Sequence, residues 1–107
     1  MRISVFGKPW SLLFVAYVSG TRAKRGRYAG GDHGSCSRPD KAPREIKIRG
    51  DLAGRRLLDV LIHELTHAAN WHIDEDHVNR FASDVARTLT RREVWQRIVS
   101  TIESDLH

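Results

Sequence analysis

The chain has 107 residues, of which 40% are hydrophobic and 29% charged, and its net charge is +5. That length supports one domain over residues 1–107 and excludes two separate cores, while the apolar content excludes disorder throughout. A single cysteine, Cys36, excludes an intrachain disulfide and a four-cysteine zinc ribbon, and it fits a reducing, cytoplasmic setting.

Residues 2–6 are short and β-prone, and Gly7 and Pro9 mark a bend after them. The apolar run 10–18 reads as a second strand buried on both faces. It loosely imitates a secretion leader, but no small-residue cleavage site follows it. Nine residues also fall short of the roughly 20 needed to cross a bilayer, so no membrane role is expected. Residues 19–43 are rich in Gly, Pro, Ser and charge and predict a long connection, with a short strand at 27–29. Within it, "GGDHGSC" (30–36) reads as a flexible glycine-rich loop, although His33 and Cys36 are residue types that hold metals. Two sharper readings are a second metal site and a Cys36 latch that holds an enzyme inactive. "REIKIR" (44–49) alternates Ile46 and Ile48 with Lys47 and Arg49, as a half-exposed edge strand would. Such an edge also suits an extended peptide added as a further strand.

Asp51 is placed to cap a helix whose apolar residues Leu57, Leu58, Leu61, Ile62, Leu65, Ala68 and Ala69 keep a helical period. That helix is expected to end near Trp71 or His72. Asp74 is a suitable cap for the next, with Glu75 and Asp76 in the first turn, where the helix dipole favours negative charge. Val78, Phe81, Val85 and Leu89 are its expected apolar stripe. A third helix over 91–105 is expected to bury Val94, Trp95, Ile98 and Ile102. Strands first and helices afterwards predict an α+β domain: a small three- or four-stranded sheet packed on the first helix, with two further helices.

The chemistry sits on that first helix. His63-Glu64-Leu65-Thr66-His67 is H-E-x-x-H. Residues four apart share a helix face, so His63 and His67 can offer imidazoles to one ion, while Glu64 lies beside it to take a proton from a metal-bound water. One zinc ion per chain is the cofactor this predicts. A catalytic zinc usually takes three protein ligands. The candidates downstream are His72, Asp74, Asp76, His77 and Asp84. His72 points away on a continuing helix and Asp74 serves better as a cap, so His77 is favoured, with Asp76, Asp84 and His72 as alternatives. Asp84 is also placed to orient a ligand histidine or to pair with Arg80 or Arg87. For the oxyanion donor, spacing does not choose among His72, Arg80, Tyr28 and His33.

"HELTHAANW" followed by "HVNRF" resembles the SprT-like (Spartan-related) zinc metallopeptidases, over about residues 44–82. His63, Glu64, His67, Ala68, Trp71, His77 and Phe81 match that pattern. The resemblance implies a zincin-like fold, zinc held by His63, His67 and His77, Glu64 as general base, and hydrolysis of peptide bonds in a protein or peptide substrate. The nine residues between His67 and His77 are fewer than that family leads one to expect, and Val78 stands where a Gly often follows the third histidine. "HVNRFA" (77–82) also resembles the ImmA/IrrE-like group, regulatory proteases with one dedicated substrate, with His77 in the place of that group's glutamate. The metzincin pattern is absent, since position 73 is Ile and the only methionine is Met1.

Charge divides the chain. Residues 1–50 carry 11 Lys and Arg against 3 Asp and Glu, a local +8, and residues 51–107 carry 7 against 10, a local −3. "TRAKRGR" (21–27) and "RPDKAPREIKIR" (38–49) hold most of the excess. A basic half attracts nucleic acid through phosphate, and a zinc-stabilised binding module touching DNA is the alternative function. No base-reading motif accompanies it, and a solvated basic face is the plainer reading.

Overall fold

The computed structural model describes residues 1–16, 28–30 and 33–106. Five strands, β1 (Arg2–Val5), β2 (Lys8–Val15), β3 (Tyr28–Gly30), β4 (Gly34–Ser37) and β5 (Glu45–Arg49), precede three helices, α1 (Gly54–Ala69), α2 (Glu75–Leu89) and α3 (Arg92–Leu106). The fold is the expected α+β arrangement, with five strands in place of three or four. The sheet is mixed, in the order β1-β2-β5-β4-β3. Only β2 and β5 run parallel.

β1 and β2 form a hairpin whose two loop residues both have positive φ, Phe6 at 49° and Gly7 at 74°. That conformation matches the right-handed twist of the flanking strands, and Gly7 adopts it without steric cost. β2 is fully buried on one face only: Trp10 and Leu12 are covered while Ser11, Leu13 and Val15 on the other face are partly exposed, contrary to the expectation of burial on both sides. β5 is not the expected edge strand either. Leu12 and Cys36 flank Ile46 in register on either side, so its backbone is paired along both edges and cannot accept an added peptide strand.

The alternation of β5 aims Ile46 and Ile48 at α1, and both are fully buried with Trp10, Leu12, Cys36 and Ala68. Leu57, Val60, Leu61 and Leu65 close over them from the helix. β4 lies within the segment expected to be a flexible loop. It qualifies as a strand through burial, since all four of its residues are covered. At Gly34 the sheet comes closest to α1: a Cβ there would lie 2.7 Å from Val60 Cγ1.

α1 begins without a side-chain cap, and Asp51 instead pairs with Arg49 at 2.7 Å. Asp74 does cap α2, accepting from the backbone N–H of His77. α2 packs on α1 through Val78, Ala82 and Ala86, all buried, and the two alanines let the helices approach closely. Ser83 Oγ donates to Asp59 Oδ2 across that seam at 3.2 Å. Phe81, expected in the buried stripe, is 54% exposed. Trp95 and Ile102 of α3, also expected to be buried, are about half exposed. No helix among the described residues is long and apolar enough to cross a membrane.

Candidate metal centre

His63 and His67 lie one turn apart on α1, their ring centroids 4.9 Å apart. The short reversal after Asn70 brings the start of α2 back over them. Its first residue, Glu75, reaches both: Oε1 is 3.0 Å from His63 Nε2, and Oε2 is 2.9 Å from His67 Nε2. The donor atoms of His63, His67 and Glu75 lie within 4.8 Å of one another, and this is the only such group of three among the described residues.

His77, the expected third ligand, is not in the group. Its side chain is 77% exposed, and its Nδ1 lies 3.0 Å from Asp74 Oδ2. The register of α2 decides this. Val78, Ala82 and Ala86 face α1, and three residues back from Val78 along that stripe stands Glu75, not His77. The other candidates are elsewhere as well. Asp76 pairs with Arg80, Asp84 with Arg87, and His72 is exposed. By position in the sequence, Glu75 answers only to the helix dipole. The signal for its second role was the spacing 75, 78, 82, 86, muted because alanine weighs little in a hydrophobic stripe.

Glu64 is buried to 3% exposure against Gly34 of β4, and its Oε1 has no hydrogen-bond partner. Burial, reinforced by the negative charge of Glu75, holds its carboxyl well above the usual carboxylate range. His67 is also buried, and burial lowers its pKa. The Glu75 carboxylate works against that shift, and His63 adds to it. A neutral imidazole with an available lone pair results. Neither ring nitrogen of His67 makes a hydrogen bond, even though Glu75 Oε2 lies within 2.9 Å of Nε2. The contact is close but wrongly directed for a hydrogen bond. Orphaned polar atoms at such depth are costly unless something else satisfies them. Two imidazoles and a carboxylate are a donor set suited to a zinc-like dication that keeps one position open. The residues fit a metal ion.

Trp71 stands edge-on to His67, with ring centroids 6.3 Å apart. Cys36 is fully buried, its Sγ donating to the Ser37 carbonyl at 3.3 Å. Burial first, and Glu64 second, push its thiol far up, so it is no thiolate ligand. His33 engages Arg56 at 3.1 Å, and among the described residues no group of three metal-donor side chains includes His33 or Cys36. Of the oxyanion candidates, Arg80 is held by Asp76, His33 by Arg56, and the side chain of Tyr28 lies outside the described residues. So does the basic segment 21–27.

Comparison with protein-family models, with curated proteins and with solved structures finds no match to this chain.

Proposed function

We propose that this protein is a zinc-dependent metallopeptidase, zincin-like in its use of the H-E-x-x-H helix, with His63, His67 and Glu75 as metal ligands and Glu64 as general base. The observation that carries the reading is the convergence of two imidazole nitrogens and a carboxylate near the buried Glu64, whose Oε1 has no hydrogen-bond partner. When bound, a zinc ion supplies a Lewis acid that brings the pKa of water to about 7 and polarises a carbonyl. Glu64 accepts a proton at Oε1 and returns it to the leaving amine. Burial raises its pKa, the direction that favours holding that proton once taken. Trp71 holds the imidazole of His67 in place from the side. Glu75 neutralises part of the ion's charge and fixes α2 against α1.

A carboxylate as third donor departs from the SprT-like pattern of three histidines. It favours, as a second reading, the ImmA/IrrE-like group, whose resemblance implies a glutamate at that point. Here the glutamate stands two residues earlier, at position 75. A protease of that kind acts on one dedicated protein and leaves generic peptides intact.

Zinc titration of single variants tests the ligand set. Structural zinc sites contribute about 10–16 kcal/mol over four ligands, so losing one ligand should cost roughly 3 kcal/mol, or about a hundredfold in affinity. Glu75→Ala should show that loss and His77→Ala should bind as the parent does. Glu64→Gln should keep its zinc and lose hydrolysis of an unstructured protein such as casein. Retained zinc in Glu75→Ala, with zinc lost in His77→Ala, would restore the sequence-based ligand set. Undiminished cleavage by Glu64→Gln would remove Glu64 as the base.

A further inference from the structure

α3 leaves much of its apolar surface exposed. Its main contact is with α2. Trp95 is 49% and Ile102 is 53% exposed, and Val94, Ile98 and Val99 are only partly covered. At 100° per residue these five side chains fall within one stripe about 140° wide. A helix of 15 residues is marginal in water without an apolar partner for such a stripe. The stripe is also flanked by unused charge. Arg92 and Glu103 lie eleven residues apart, about three turns, on the same border of the stripe. Among the described residues, neither enters an ion pair.

We propose that α3 is a self-association surface that pairs antiparallel with α3 of a second copy of this chain, about a two-fold axis at Ile98. In that register Ile98 meets Ile98, and Val94 and Trp95 meet Ile102 of the other copy. Residues on the same border of two antiparallel helices face each other, so Arg92 of each copy stands beside Glu103 of the other. The contact is self-complementary, as a two-fold interface requires, and it carries two identical ion pairs. Parallel pairing would leave the two Arg92 side chains level but on opposite sides of the seam, with Glu103 about three turns away and no ion pair formed. The helix dipoles also favour the antiparallel arrangement. One helix pair buries less than the roughly 1,200 Å² of a standard stable interface, so the association is weak, on the order of micromolar. This surface is independent of the metal centre.

Sedimentation equilibrium of the full chain, from about one to several hundred micromolar, tests the pairing. The parent protein should pass from monomer to dimer over that range. Trp95→Glu should remain monomeric while its circular dichroism still reports a folded sheet and helices. Arg92→Glu and Glu103→Arg should each weaken the dimer roughly tenfold or more, because two attractions become two repulsions. The double variant, Arg92→Glu with Glu103→Arg, should regain the parent's affinity. A parent that stays monomeric throughout overturns the proposal. So does a dimer indifferent to Trp95→Glu, or a double variant no tighter than either single one.

Discussion

Gly34→Ala isolates the contact that seats Glu64. The added Cβ would lie 2.7 Å from Val60 Cγ1, 3.0 Å from Glu64 Oε2 and 3.1 Å from Glu64 Cγ. Carbon atoms pack best at about 3.5–4.0 Å, so the overlap with Val60 is roughly 1 Å. Valine in a helix has one strongly preferred rotamer and cannot swing aside. The yielding group is therefore the Glu64 carboxylate, together with a slight separation of α1 from β4. Overpacking of this kind costs about 1–3 kcal/mol. In a domain of this size each kcal/mol lowers Tm by about 4–8 °C, which predicts a fall of roughly 5–20 °C. Hydrolysis should fall further than lost folding explains, because the displaced group is the proposed base. Gly50→Ala is the control, since the nearest atom to its new Cβ is 3.6 Å away. The assay is thermal circular dichroism, with casein hydrolysis measured well below Tm on both variants. A Gly34→Ala protein with unchanged Tm and parental hydrolysis would refute the close approach and the seating of Glu64 with it.

In chelator, Glu64→Gln should be more stable than the parent by a margin that grows as pH rises from about 4.5. The folded-state pKa of Glu64 is raised, so the parent's unfolded chain ionises first and its stability drains away with rising pH, while glutamine is indifferent. A difference in Tm that is flat from pH 4.5 to 8 would count against a buried, protonated Glu64. Cys36 should resist a thiol-specific dye in the native protein and react promptly in denaturant, because it is fully buried and its pKa is pushed far up. Fast native labelling would show that β4 opens. Ile48→Ala should cost about 2–5 kcal/mol in urea denaturation, as removal of a fully buried aliphatic side chain does, and a loss under 1 kcal/mol would displace Ile48 from the core.

What the sequence revealed, and what it concealed, follows from whether the cause is local. H-E-x-x-H, the amphipathic α1, the Asp74 cap and the alternation of β5 all arise from neighbours a few positions apart, and all were legible. β4 was not, because Gly-Ser-Cys-Ser carries no β-branched or aromatic residue, and what makes it a strand is burial between α1 and its neighbouring strands. Alternation told which side of β5 faces inward but not that β2 and β4 flank it. Glu75 was hidden by a competing explanation: an acidic residue in a first turn already has a reason to be there. Val78 belongs to the expected stripe of α2 and is buried, but the large residues Phe81 and Leu89 point that stripe away from Ala82 and Ala86, which with Val78 set the register. In α3 the apolar stripe predicts cover by the rest of the chain, and Trp95 and Ile102 are instead about half exposed.

His63 and His67 belong to one helix and Glu75 to the next, which meet through a short reversal and the packed Val78, Ala82 and Ala86 seam. An ion seated among them would act as a clasp across that joint. Ligand binding at a thousand times its dissociation constant adds about 4 kcal/mol to the closed form, comparable to a large share of a small domain's whole stability. Without the ion, only that seam and the Ser83–Asp59 hydrogen bond would hold the joint, with α3 moored to α2. Metal supply would then govern how long this protein survives a cellular degradation machine, quite apart from whether it can turn over a substrate.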